Sequence, residues 1–66
     1  MKYARLEVKT RSGIKTRYFS YNDEWLFGKH LYRYYRGKDY LWDALSETSA
    51  DYLKKIGKIE FKHIAN

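Results

Sequence analysis

No cysteine occurs in this chain of 66 residues, and that absence constrains the fold more than any motif does. A core of this size supplies on the order of 3 to 5 kcal/mol of net stability, and small domains usually add a disulfide or a structural metal. Without cysteine there is neither a disulfide framework nor a thiolate zinc site, and a reducing cytoplasm is the compartment that fits. The chain has to close its core by other means. Eight Tyr, three Phe and two Trp supply them, each ring able to bury far more surface than an average side chain.

The hydrophobic pattern divides the chain without a linker, a repeat or a proline, and residues 1–66 read as one domain. Residues 2–10 alternate, with Ala4, Leu6 and Val8 on one side and Arg5, Glu7 and Lys9 on the other, the period of a half-buried strand. Arg11, Ser12 and Gly13 break the pattern as a three-residue connection, and residues 14–21 return as a second strand. Tyr18 and Phe19 are adjacent and both call for burial, which a bulge would reconcile.

Asn22, followed by Asp23 and Glu24, is the expected cap of a first helix over residues 23–36, ended by Gly37. A helical wheel gathers Phe27, Leu31, Tyr34 and Tyr35 on one face, and Trp25, Lys29, Tyr32, Arg33 and Arg36 on the other. Gly28 sits inside that helix and suggests close approach by another backbone or a partner.

A second helix is expected over residues 40–56, capped by Asp39, with Leu41, Trp42, Leu45, Tyr52, Leu53 and Ile56 inward. The same reading strings Asp39, Asp43, Glu47 and Asp51 along its outer face. The run Ser46 to Ser49 is poor helix former, and the alternative is two shorter helices with Ser49 as the new cap. Gly57 closes the segment, and residues 58–64 alternate again as a third strand with Ile59 and Phe61 inward. The expected fold is α+β: a three-stranded antiparallel or mixed sheet, order β-β-α-α-β, with both helices on one face.

Lys and Arg outnumber Asp and Glu by 14 to 8, a formal charge of +6, which favours polyanionic partners. The charge is uneven: +5 over residues 1–20, +2 over 21–38, −4 over 39–53 and +3 over 54–66. Three candidate surfaces follow. Trp25 and Tyr32 among Lys29, Arg33 and Arg36 have the composition that holds single-stranded nucleic acid, rings for bases and cations for phosphates. Arg5, Lys9, Lys15, Arg17 and Lys62 form a candidate phosphate-contacting patch on an uncovered sheet face. The acidic row Asp39, Asp43, Glu47 and Asp51 suits a docking contact with a nucleic-acid-handling protein.

Catalysis is not expected. None of the four glycines belongs to a phosphate-binding loop, and a pocket of several hundred cubic ångströms is hard to fit in so small a domain. His30 and His63 are the only histidines, near enough in the expected fold to be weighed as an acid–base pair and set aside. No metal, cofactor or small-molecule substrate is implied. Residues 1–7 lack the apolar stretch of a signal peptide, no apolar run approaches the ~20 residues of a membrane span, and no membrane partner is expected.

The leading reading is a small basic module that binds DNA or RNA. The alternative is a small regulator or inhibitor, of the kind phages and mobile elements encode, that docks on a nucleic-acid-processing protein. A homodimer is compatible with either.

Overall fold

The computed structural model describes residues 1–65. Its elements run β1 (Lys2–Thr10), β2 (Gly13–Tyr21), α1 (Glu24–Tyr35), β3 (Tyr40–Leu45), α2 (Glu47–Lys55) and β4 (Lys62–Ile64). One mixed sheet carries all four strands in the order β3-β1-β2-β4. The α+β class stands, with four strands in place of three.

β1 and β2 form the expected hairpin, antiparallel from Lys2↔Tyr21 to Thr10↔Gly13 without interruption. The connection is therefore two residues, Arg11 and Ser12, tightened by Ser12 N–H donating to Thr10 Oγ1 at 3.2 Å. Gly13 takes φ +119°, a conformation side chains resist. No bulge is needed at Tyr18 and Phe19. Phe19 pairs with Ala4 and shares its face, while Tyr18 pairs with Arg5 on the other, and each ring finds cover on its own side.

Alternation sorts the rest of the sheet. Ala4, Leu6, Phe19, Tyr21 and Ile64 are buried on one face, and Phe27 and Leu31 of α1 pack against them. Phe27 stacks on Tyr21 with ring centroids 4.4 Å apart and 4° between planes, and Trp42 meets its edge at 5.1 Å. Burial raises the pKa of the Tyr21 phenol. The cap of α1 is Asp23, not Asn22: its carboxylate accepts the Trp25 N–H at 2.8 Å. Glu24, in the first turn, pairs with Lys2 at 2.5 Å, which raises the pKa of that ammonium. Gly37 follows α1 at φ +80°, and Lys38 N–H donates back to Tyr35 O at 3.0 Å.

The stretch expected as the first half of the second helix is a strand. β3 lies antiparallel on the free edge of β1, Ala4↔Ala44, Leu6↔Trp42 and Val8↔Tyr40, and Lys9 N–H donates to Asp39 O at 2.9 Å where the ladder begins. The helix starts only after Ser46, whose hydroxyl accepts the Ser49 N–H at 3.1 Å. The serine-rich run is the cap of α2 and not a break within it, and the new cap is Ser46 where Ser49 was the alternative.

The two helices do not share a face. Lys54 of α2 reaches Tyr3, its ammonium 4.5 Å from the ring centroid and 3.1 Å from the hydroxyl. Phe61 meets Tyr3 and Tyr18 edge-on at 5.3 and 5.5 Å. Tyr3 and Tyr18 point away from Ala4 and Phe19, so α1 covers one side of the sheet and α2 with Phe61 the other. The strand expected at 58–64 shrinks to Lys62–Ile64, parallel to the end of β2 through Phe19↔Lys62 and Tyr21↔Ile64. Lys58, not Gly57, takes the left-handed turn after α2, with φ 53°, as Ile59 N–H returns to Leu53 O at 3.1 Å.

No helix of the described residues is long and apolar enough to cross a membrane.

Candidate nucleic-acid interface

β4 pairs only with residues 19–21 of β2, so the first part of β2 keeps an outer edge with no partner strand among the described residues. Along that edge, between the second half of α1 and residues 59–62, lies an open groove of about 1160 Å³. Its size contradicts the expectation that so small a chain has no room for a pocket. The space is a trough between elements and not an enclosed cavity.

Six cations line the groove, Lys9, Arg11, Lys15, Arg17, Lys38 and Lys62, against one carboxylate, Glu60. The α1 wall contributes the rings of His30, Tyr34 and Tyr35, while on β2 Phe19 is buried in the core and the Tyr18 ring turns to the other face of the sheet. Tyr34 is 53% exposed and sits amid charge, with the Arg33 guanidinium 5.6 Å from its centroid and the Lys62 ammonium 6.0 Å away. Lys38 lies 5.6 Å from the centre of Tyr35. His30 packs against Tyr34 at 4.7 Å and Phe19 at 5.3 Å. Burial, and secondarily the charge of Lys62, holds the imidazole below its ordinary pKa.

The basic patch expected on one sheet face is split. Lys15, Arg17 and Lys62 project on the α1 side with Phe19. Arg5 projects on the other, where it is tied to Glu7 at 2.6 Å. Lys9 shares the face of Arg5, yet it lines the groove at its hairpin end. The cause is the short turn and the missing bulge, because a shift of one residue in register moves every side chain of a strand to the opposite face.

The outer face of α1 is as its periodicity predicts. Trp25 and Tyr32 are 69% and 63% exposed. The Lys29 ammonium stands 5.1 Å from the Trp25 ring centre, and the Arg36 guanidinium 5.3 Å from that of Tyr32, to whose hydroxyl it also donates at 2.8 Å. No backbone of the fold approaches Gly28: a Cβ built there meets nothing within 4 Å.

The acidic row does not assemble. Asp39 precedes β3, Asp43 lies within it, and only Glu47 and Asp51 share a helix. The two histidines are likewise separated by the sheet. His30 faces Phe19 on the α1 side, whereas His63 Nδ1 lies 3.0 Å from Ser20 Oγ on the other. No cluster of three or more His, Asp or Glu able to hold a metal occurs among the described residues.

Arg11, Lys38 and Tyr34 belong to the groove and were not singled out by sequence reasoning. Arg11 and Lys38 sit in turns, where nothing in the pattern indicates direction. Tyr34 falls at the margin of the apolar arc of α1, and that position was its only signal. Comparison with protein-family models, with curated proteins and with solved structures finds no match.

Proposed function

We propose that this chain is a nucleic-acid-binding module that holds phosphates in the groove beside the open edge of β2 and acts without catalysis of its own. The observation that carries the reading is the set of six cations facing one carboxylate along a single trough. Lysine and arginine placed on phosphates release condensed counterions, which drives binding irrespective of sequence. The exposed Tyr34 ring in the α1 wall gives a base a surface to lie against. A chain without cysteine suits a reducing compartment such as the cytoplasm.

The test is fluorescence anisotropy with labelled single- and double-stranded DNA and RNA at two salt concentrations. If all six cations engage, log K falls against log salt with a slope of roughly −4 on a single strand and −5 on a duplex. Charge reversal by Lys15→Glu, Arg17→Glu and Lys62→Glu together weakens binding across sequences and flattens the slope. Arg5→Glu, on the opposite face, has a much smaller effect. Absence of binding at low salt, or affinity indifferent to the triple reversal, overturns the reading.

A further inference from the structure

The outer face of α1 repeats one arrangement. Trp25 is followed four residues later by Lys29, and Tyr32 four residues later by Arg36, each cation standing 5.1 to 5.3 Å from its ring centre. The two pairs are seven residues apart, so they recur on the same side of the helix, two turns or roughly 10 Å along its axis. Both rings are more than half exposed, although an apolar surface of this size is ordinarily covered in a folded chain. Arg33, against Tyr34, joins this face to the groove wall. Rings and cations thus continue without interruption from the trough to the outside of the helix.

A flat ring beside a positive charge matches the two ends of one nucleotide, with the base on the ring and the phosphate on the cation. A duplex cannot use such a unit, because its base faces are stacked on one another and only edges and phosphates are presented. The axial offset of the two residues is about three times the 3.4 Å rise between stacked bases, so one strand can reach both with two separated bases. Resting on the nucleic-acid reading above, we infer that the module takes single-stranded nucleic acid, with Trp25 and Tyr32 as base-stacking platforms and Lys29 and Arg36 as their phosphate partners. The complementarity is with a polyanion that carries aromatic bases.

The experiment compares an oligodeoxythymidine with the same oligomer annealed to its complement, on the intact chain and on Trp25→Ala and Tyr32→Ala. Each substitution lowers single-strand affinity about tenfold, the change that corresponds to ~1.4 kcal/mol, and leaves duplex affinity within about twofold. Trp25→Phe, which keeps a flat ring, restores most of the loss. In a Trp42→Phe background Trp25 is the sole indole, and its fluorescence is quenched by the single strand and not by the duplex. Binding of both forms with equal losses, or with no quenching of Trp25, overturns the single-strand inference and leaves the groove reading standing. Failure to bind either form at low salt overturns both.

Discussion

The two faces of the sheet are closed by different means. On the α1 side Ala4, Leu6, Phe19, Tyr21 and Ile64 are buried in one cluster with Phe27 and Leu31, with rings in stacked and edge-on contact. On the other side the buried set is Tyr3, Ser20 and Ala50, and the cover is α2, through Ala50 and the Lys54 ammonium over Tyr3, together with one ring, Phe61. A chain this short has apolar volume for one core. The second face is closed by the short helix α2, whose Lys54 sets its ammonium against the ring and hydroxyl of Tyr3. Stability and the candidate site are therefore concentrated on the same side, the core beneath the middle of α1 and the groove at its second half.

Truncating each side in turn tests that asymmetry. Phe27→Ala removes the ring that touches Tyr21, Phe19 and Trp42. The expected loss is ~3–5 kcal/mol, comparable to the whole stability of a domain this size, so the variant should be largely unfolded by circular dichroism at room temperature. Phe61→Ala removes two edge-on contacts from a half-buried position, with an expected loss of about 2 kcal/mol. That variant should keep its far-ultraviolet spectrum and melt at a lower urea midpoint. Equal losses from the two substitutions would mean that both faces contribute alike, and the asymmetry would be wrong.

The same division explains what could be read from sequence. Most of residues 2–36 is legible because period two runs through β1 and period 3.6 through α1, with Gly13 at the turn between the strands and Asn22, Asp23 and Glu24 at the helix start, whereas the parity of β2 and the exact cap are not. Residues 40–45 satisfy both periods at once. Leu41, Trp42 and Leu45 make a helical arc, and Tyr40, Trp42 and Ala44 make a strand face. What decides between them is the unpaired edge of β1, a tertiary demand that no local pattern records. The acidic row was a product of the helical choice and disappears with it. β4 was foreseen as a strand, but its parallel pairing with β2 depends on a crossover through α1, β3 and α2. For the site, the exposed Trp25 and Tyr32 of α1 were legible from its wheel, whereas Tyr34, which the wheel places on the packed face, is exposed. The splitting of Arg5 from Arg17 was not, because it turns on whether the hairpin connection has two residues or three.

A smaller effect separates the exposed side of α1 from its packed side. Gly28 lies in the interior of the helix with open space where a Cβ would stand, so nothing in the fold requires a glycine there. Gly28→Ala should stabilise the chain by about 1 kcal/mol through helix propensity alone, seen as a higher melting temperature with the helical signal unchanged. A loss of stability would show that the backbone of α1 is held in a shape alanine cannot share. The outer face would then be less free of tertiary constraint than the packed one is bound by it.

The smallest expected effect concerns His30, where core and groove meet. Its pKa lies below the ordinary value of 6.5 because burial, and then the charge of Lys62, disfavour the imidazolium. The unfolded chain therefore binds the proton more readily than the folded one. This contribution to stability is fully present above pH 6.5, and it is lost as pH falls from there towards the lower folded value. Urea midpoints measured across that window should decline gently towards acid, and His30→Gln should flatten the decline. Phosphate bound beside Lys62 acts in the opposite sense. A negative charge in the groove favours the imidazolium and offsets Lys62, so nucleic-acid affinity should rise as pH falls through the same window in which the free protein loses stability. Opposite slopes that vanish together in His30→Gln would place phosphate beside this residue. If affinity does not change with pH while stability does, bound phosphate lies away from His30, towards Lys15 and the hairpin end of the groove.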